Sequence, residues 1–77
     1  MLLEIITPDK KLFEGEVSSV TVPGKTGRFQ MLNRHAPVIS ALKKGKIKIK
    51  TSQGIQQFEV NGGVVEMQKN KIIVLAE

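Results

Sequence analysis

The feature that most constrains this chain is a rhythm. Short runs rich in apolar and β-branched residues follow one another, separated by clusters of glycine, proline, asparagine, aspartate and serine. LLEIIT (2–7) ends in Thr7-Pro8-Asp9, where proline restricts φ and favours a turn. KLF (11–13) precedes Gly15, and EVSSVTV (16–22) runs up to Pro23-Gly24. RFQML (28–32), VISAL (38–42), GKIKIKT (45–51), IQQFEV (55–60), VVEMQ (64–68) and KIIVLA (71–76) complete the series. No window of ten or more residues carries a convincing helical period, whereas turn signals recur roughly every eight to twelve residues. That pattern predicts an all-β fold, a sandwich or barrel. With 77 residues there is room for one domain, 1–77, and one core. Phe13, Phe29 and Phe58 are the only aromatic residues, so that core must be mainly aliphatic.

Two runs carry finer expectations. In EVSSVTV the apolar spacing Val17, Val20, Val22 breaks strict alternation, which predicts a bulge or a twist. In GKIKIKT, Ile47 and Ile49 alternate with Lys46, Lys48 and Lys50, giving a strand with one apolar and one basic face. Lysine on the solvent face of a strand, especially an edge strand, discourages edge-to-edge aggregation, and this is the plainer reading. A dedicated anion-binding face is the alternative.

The triplet Gly24-Lys25-Thr26 resembles the end of a phosphate-binding loop. That loop needs G-x-x-x-x-G-K-[ST], followed by a helix whose free N–H groups hold the anion. The first glycine would fall at position 19, which is Ser19, and the chain after Thr26 has strand-like alternation. The motif fails on spacing and on context. Pro23, Gly24 and Gly27 suit a tight chain reversal instead.

Other chemistry is equally sparse. His35 is the only histidine and cysteine is absent, which leaves no sequence signature of a metal site and no disulfide. Ser40 lacks the local context of a nucleophile elbow, and Glu14 and Glu16 read as solvated carboxylates. No catalytic residue, metal or cofactor is expected. The net charge of +5 would favour an acidic partner, a nucleic acid or an anionic membrane. Single-strand nucleic-acid binders add stacking aromatics to a basic groove; Trp and Tyr are absent here, and the phenylalanines fall at core-facing positions. No nucleic-acid partner is expected. MLLEIIT lacks a basic n-region, and no apolar run approaches the ~20 residues of a membrane span, so a soluble protein without direct membrane insertion is expected.

Several short motifs together resemble a known family. They are Phe13-x-Gly15, Val17 and Val20, Pro23-Gly24-x-x-Gly27, Leu32, His35-Ala36-Pro37, Leu42 and Gly45. Phe58, Val60, Gly62-Gly63, Val65-Glu66-Met67, Asn70 and the final VLAE complete the set. In order and spacing, over nearly the whole chain, these are similar to the N-terminal β-sandwich domain of the epsilon subunit of F-type ATP synthases. The resemblance implies a flattened sandwich or barrel of two antiparallel sheets with about ten short strands. It implies a non-catalytic rotor subunit of the central stalk, docking the gamma subunit onto the membrane c-ring so that ion flow is coupled to ATP synthesis. It also implies a peripheral position on the cytoplasmic face of the bacterial inner membrane.

By the same resemblance, Thr7, His35 and Ser40 match positions facing gamma, and Arg28, Asn33, Arg34 and His35 match the c-ring end. The sequence departs from the family at two places. Position 28 is commonly acidic and the loop before His35 commonly reads Pro-Gly, whereas here they are Arg28 and Asn33-Arg34. The charge reversal motivates the hypothesis of a less basic or more acidic c-ring loop; a strongly basic loop in the cognate ring sequence would sink it. Members also commonly continue into a C-terminal inhibitory helical hairpin, which these residues do not include, and a short form lacking it is expected. The rival functional reading is a free-standing basic β-sandwich that binds an anionic surface.

Overall fold

A computed structural model describes residues 1–77 and contains nine strands and no helix. They are β1 (Leu2–Ile6), β2 (Lys11–Glu16), β3 (Ser19–Gly24), β4 (Gly27–Leu32), β5 (Val38–Leu42), β6 (Gly45–Thr51), β7 (Gly54–Val60), β8 (Gly63–Gln68) and β9 (Lys71–Ala76). The hydrogen-bonded path β2-β1-β9-β8-β5-β3-β6-β7, with β4 paired to β3, folds into two layers. One layer is β5-β8-β9-β1-β2 and the other is β4-β3-β6-β7. At one corner they meet through the single β3–β5 pairing, Gly24 with Leu42. At the opposite corner the Phe13 and Phe58 rings approach to 5.8 Å at a tilt of 59°.

The all-β class and flattened sandwich or barrel match the expectation, with nine strands rather than about ten. One ladder differs from a purely antiparallel pattern: β1 and β9 run parallel, from Leu2 opposite Lys71 to Ile6 opposite Leu75. The inward residues form one core of 16 buried side chains, among them Leu3, Ile5, Val20, Val22, Met31, Ile47, Ile49, Val65, Met67, Ile72 and Val74. Phe13, Phe29 and Phe58 are half-buried against it, so the core is aliphatic with an aromatic rim.

The irregular Val17–Val22 spacing has a cause other than a bulge within one strand. The chain changes layer there. β2 extends through Gly15 to Glu16, Val17 N–H donates to the Met1 carbonyl, and Ser18 N–H donates to the Lys50 carbonyl on the other layer. The register irregularity lies instead between Ile5 and Ile6, opposite Phe13 and Lys11.

The Gly24-Lys25-Thr26 triplet belongs to a two-residue hairpin. Gly24 pairs with Gly27, and β4 follows where a phosphate loop would have a helix. Of the two glycines only Gly27 has positive φ, 142°; Gly24 lies in β3. Gly24 is small for packing reasons: a Cβ there would stand 2.8 Å from the Phe29 ring and 2.6 Å from the Gly27 carbonyl oxygen.

The lysine run does face solvent, with Lys46, Lys48 and Lys50 exposed, but β6 is not an edge strand. Lys48 and Lys50 face Thr21 and Ser19 of β3 on one side and Gln57 and Ile55 of β7 on the other. The edges of this layer are β4, which carries Arg28, and β7, which carries glutamines and a glutamate in place of lysines.

Candidate functional site

Because successive strand residues point to opposite faces, the inner face of each layer is committed to the core. The outer faces are free to carry function, and the two differ.

On the β5-β8-β9-β1 layer, the outward residues form rows across four strands. Ala41 pairs with Val64, Val64 with Leu75, and Leu75 with Ile6, which makes one row apolar from end to end. The next row, Ile39, Glu66, Ile73 and Glu4, alternates apolar and acidic residues. Ile39 is 72% exposed, Leu75 55% and Val64 44%. A contiguous apolar group of this kind on a sheet face marks an interaction surface more strongly than a single exposed leucine does. At the margin Lys11 bridges Glu4 at 2.9 Å and Glu14 at 3.0 Å. The hydrogen bond from Lys11 lowers the Glu4 pKa, and Glu4, followed by Glu14, raises that of Lys11.

On the β4-β3-β6-β7 layer the outward residues are polar and basic. Arg28, Lys46, Lys48 and Lys50 share this face with Thr21, Gln30, Gln57 and a single carboxylate, Glu59, opposite Lys46. The Arg28 guanidinium donates to the Lys46 carbonyl oxygen at 2.8 Å, which ties β4 across β3 to β6. None of these four cations forms a salt bridge. Lys25 and Lys43 join them at the β3–β5 corner, where Lys25 N–H donates to the Ala41 carbonyl and Lys43 N–H to that of Pro23.

The residues singled out from the sequence do not gather at one place. Thr7 stands at the end of the apolar row, just past Ile6. Its hydroxyl donates to the Lys10 carbonyl and accepts from Lys10 N–H, so it closes its own turn. His35 lies at the other end of that layer, exposed before Pro37, with Nδ1 2.7 Å from the Ala36 carbonyl oxygen. Ser40 shares the inward side of β5 with Val38 and Leu42, and its hydroxyl donates to the Ala41 carbonyl at 3.0 Å.

Arg28 is also separated from Asn33, Arg34 and His35. In the β3–β4 ladder Arg28 pairs near the turn with Pro23, whereas Leu32, next to Asn33, pairs with Ser19 at the far end. Asn33 is held in place: its side-chain oxygen accepts from the Asn70 amide at 2.9 Å and from the N-terminal ammonium at 3.4 Å. Arg34 N–H donates to the Asn70 side-chain oxygen, which stabilises a left-handed Arg34 (φ 65°). No group of three or more His, Asp and Glu side chains is gathered as a metal site.

Ile39, Val64, Ile73 and Leu75 were missed as candidates. Their signal is present in the sequence: Ile72 to Ala76 is apolar at every position, so both faces of that strand are apolar. GKIKIKT alternates strictly and offers only one such face.

Comparison with known proteins gives a consistent picture. Residues 1–77 match the family model described as the ATP synthase delta/epsilon chain, β-sandwich domain. An ATP synthase epsilon chain from Chlorobium limicola is 45% identical over 76 residues, covering 97% of this chain and 86% of that one. The epsilon chain of Sulfurimonas denitrificans is 42% identical, with 97% of this chain and 58% of that one covered. Among solved structures, a chain of the Tetrahymena thermophila mitochondrial ATP synthase central stalk and c-ring superposes with a TM-score of 0.78 at 20% identity, over 97% of this chain and 61% of that one. A chain of the Euglena gracilis mitochondrial enzyme superposes with a TM-score of 0.88 at 18% identity, over 96% and 48%. At those identities the superpositions establish the shared fold.

Proposed function

We propose that this chain, which belongs to the ATP synthase delta/epsilon β-sandwich family, is a non-catalytic rotor component seated between a gamma subunit and a membrane c-ring. The observation that carries the gamma part is the apolar row Ala41, Val64, Leu75 and Ile6 with exposed Ile39 beside it. A rotor joint must resist torque, and an apolar sheet face resting on a packed core gives a stiff, desolvated contact. In this reading gamma lies along the outer face of the β5-β8-β9-β1 layer. Thr7 and His35 mark the two ends of that contact, while Ser40, on the inward side of β5, stands behind it.

The ring contact is assigned to the β3–β4 turn and Arg28, with the Asn33-Arg34 loop, which sits with His35, as its second point. Arg28 presents a cation there, so the cognate ring loop should carry a carboxylate or lack the usual basic residue. The position that follows is peripheral, on the cytoplasmic face of a bacterial inner membrane. No helix is long and apolar enough to cross a membrane.

Calorimetry with the purified cognate gamma subunit tests the reading. One-to-one binding is expected, weakened about a hundredfold or more in Leu75→Glu, as for a central apolar anchor replaced by an uncompensated charge. Binding to folded gamma that is absent, or unchanged in Leu75→Glu, would remove gamma from this face.

A further inference from the structure

The lysine stripe of β6 faces solvent, but it does not guard a sheet edge. An edge-protecting role is excluded for Lys48 and Lys50, because β6 is paired on both sides there. Lys46, Lys48 and Lys50 project from one face at alternate positions, roughly 7 Å apart along the strand. That is within the Debye length of about 8 Å at physiological salt, so Lys48 feels repulsion from both Lys46 and Lys50. Arg28 adds a fourth positive charge, and the only facing carboxylate is Glu59. Concentrating like charge in this way is unfavourable in the isolated chain and becomes favourable when an anionic surface covers it.

We propose that the outer face of the β4-β3-β6-β7 layer, through Lys46, Lys48 and Lys50, docks on the anionic headgroups of a phospholipid bilayer. The form of the face favours lipid over other polyanions. It is a sheet surface with no aromatic side chain for base stacking, since Phe29 and Phe58 pack against the core. It has no bidentate pocket; the one directed guanidinium hydrogen bond goes to a backbone carbonyl. Exposed Leu32 and Ile55 lie in the row of Ser19 and Lys50 and give that end of the face a modest apolar contact. Distributed cations without a shaped site suit a fluid array of headgroups, where each lysine adds a similar increment of attraction. The inference rests on this face alone and does not depend on what covers the opposite one.

Cosedimentation of the chain with phosphatidylcholine vesicles, plain or with about 30% phosphatidylglycerol, tests it. Partition into the anionic vesicles only is expected, together with a loss of about tenfold or more when salt rises from roughly 0.05 to 0.3 M. Lys48→Gln/Lys50→Gln should lower that partition about tenfold or more, while the control Lys69→Gln/Lys71→Gln, away from this face, should change it less than about threefold. Equal partition into both vesicle types, or equal loss in the control, would overturn the proposal. So would tighter binding to an RNA oligomer or to poly-glutamate than to the anionic vesicles. The lipid-composition and salt arms use the unaltered chain, so they decide the matter even if a variant folds poorly. Leu75→Glu should bind these vesicles like the unaltered chain, which separates a failure here from a failure of the gamma reading.

Discussion

Ile47 and Lys48 are neighbours on β6, yet they belong to different problems. Ile47 is fully buried in the shared core; Lys48 stands on an outer face that the core leaves free. The same contrast, extended over both layers, separates an apolar outer face (Ala41, Val64, Leu75, Ile6) from a basic one (Arg28, Lys46, Lys48, Lys50). Two layers joined to one core can carry unlike outer surfaces because strand alternation decouples them. Stability is therefore expected to lie in the inner residues, and partner choice in the outer ones.

The largest effect should come from crossing that boundary. Ile47→Ala should cost about 3 kcal/mol in urea denaturation, through lost burial and a cavity, whereas Lys48→Ala should stay within about 0.5 kcal/mol. Comparable losses would show that the outer face also supports the fold. Next is salt. Between roughly 0.05 and 0.3 M, affinity for gamma should change less than about threefold, because apolar contact dominates that face and screening acts on charge. A gamma affinity that collapses with salt would place that subunit on the basic face instead.

A smaller effect is expected at the far end of the apolar layer. Asn70→Ala should cost about 0.5–1 kcal/mol, since the Arg34 N–H loses its side-chain partner and the Asn33 oxygen keeps only the N-terminal ammonium. Faster amide exchange confined to residues 33–36 should accompany it. The smallest effect concerns Glu4 and Lys11. The Glu4 pKa is lowered in the folded state, so its stabilising contribution is present above the unfolded carboxylate pKa and is lost as pH falls through the folded value. The raised Lys11 pKa gives the opposite sign: its contribution is present below the unfolded lysine pKa and is lost as pH rises through the folded one. Glu4→Gln should flatten the acid side of the stability profile only slightly, because the pair lies at the surface. A large change would mean that the carboxylate holds the β1–β2 pairing together.

Much of this was legible in the sequence. The runs 38–42, 45–51, 55–60, 64–68 and 71–76 closely match β5 to β9, because each is a short run containing apolar residues and bounded by turn residues. Lys69-Asn70 reads as a turn, and both residues have positive φ in a two-residue hairpin. The segment from Lys11 to Val22 was less legible. Its crossing between layers at Val17-Ser18 depends on the Met1 and Lys50 carbonyls, which are distant in sequence. The grouping of site residues was least legible. Arg28 and Asn33 are five positions apart, yet β4 carries them to opposite ends of a ladder.

The sequence by itself determined that the chain is β throughout, that its core is aliphatic, and that β6 has one basic face. These follow from local alternation, turn chemistry and residue type, which act over a few residues. Only the tertiary structure decided which layer each strand joins, that β1 and β9 run parallel, and that the lysine strand lies inside its layer. It also aligned Ala41, Val64, Leu75 and Ile6 in one row. Pairing register sets that row, and register depends on residues far apart in the chain meeting around one shared core.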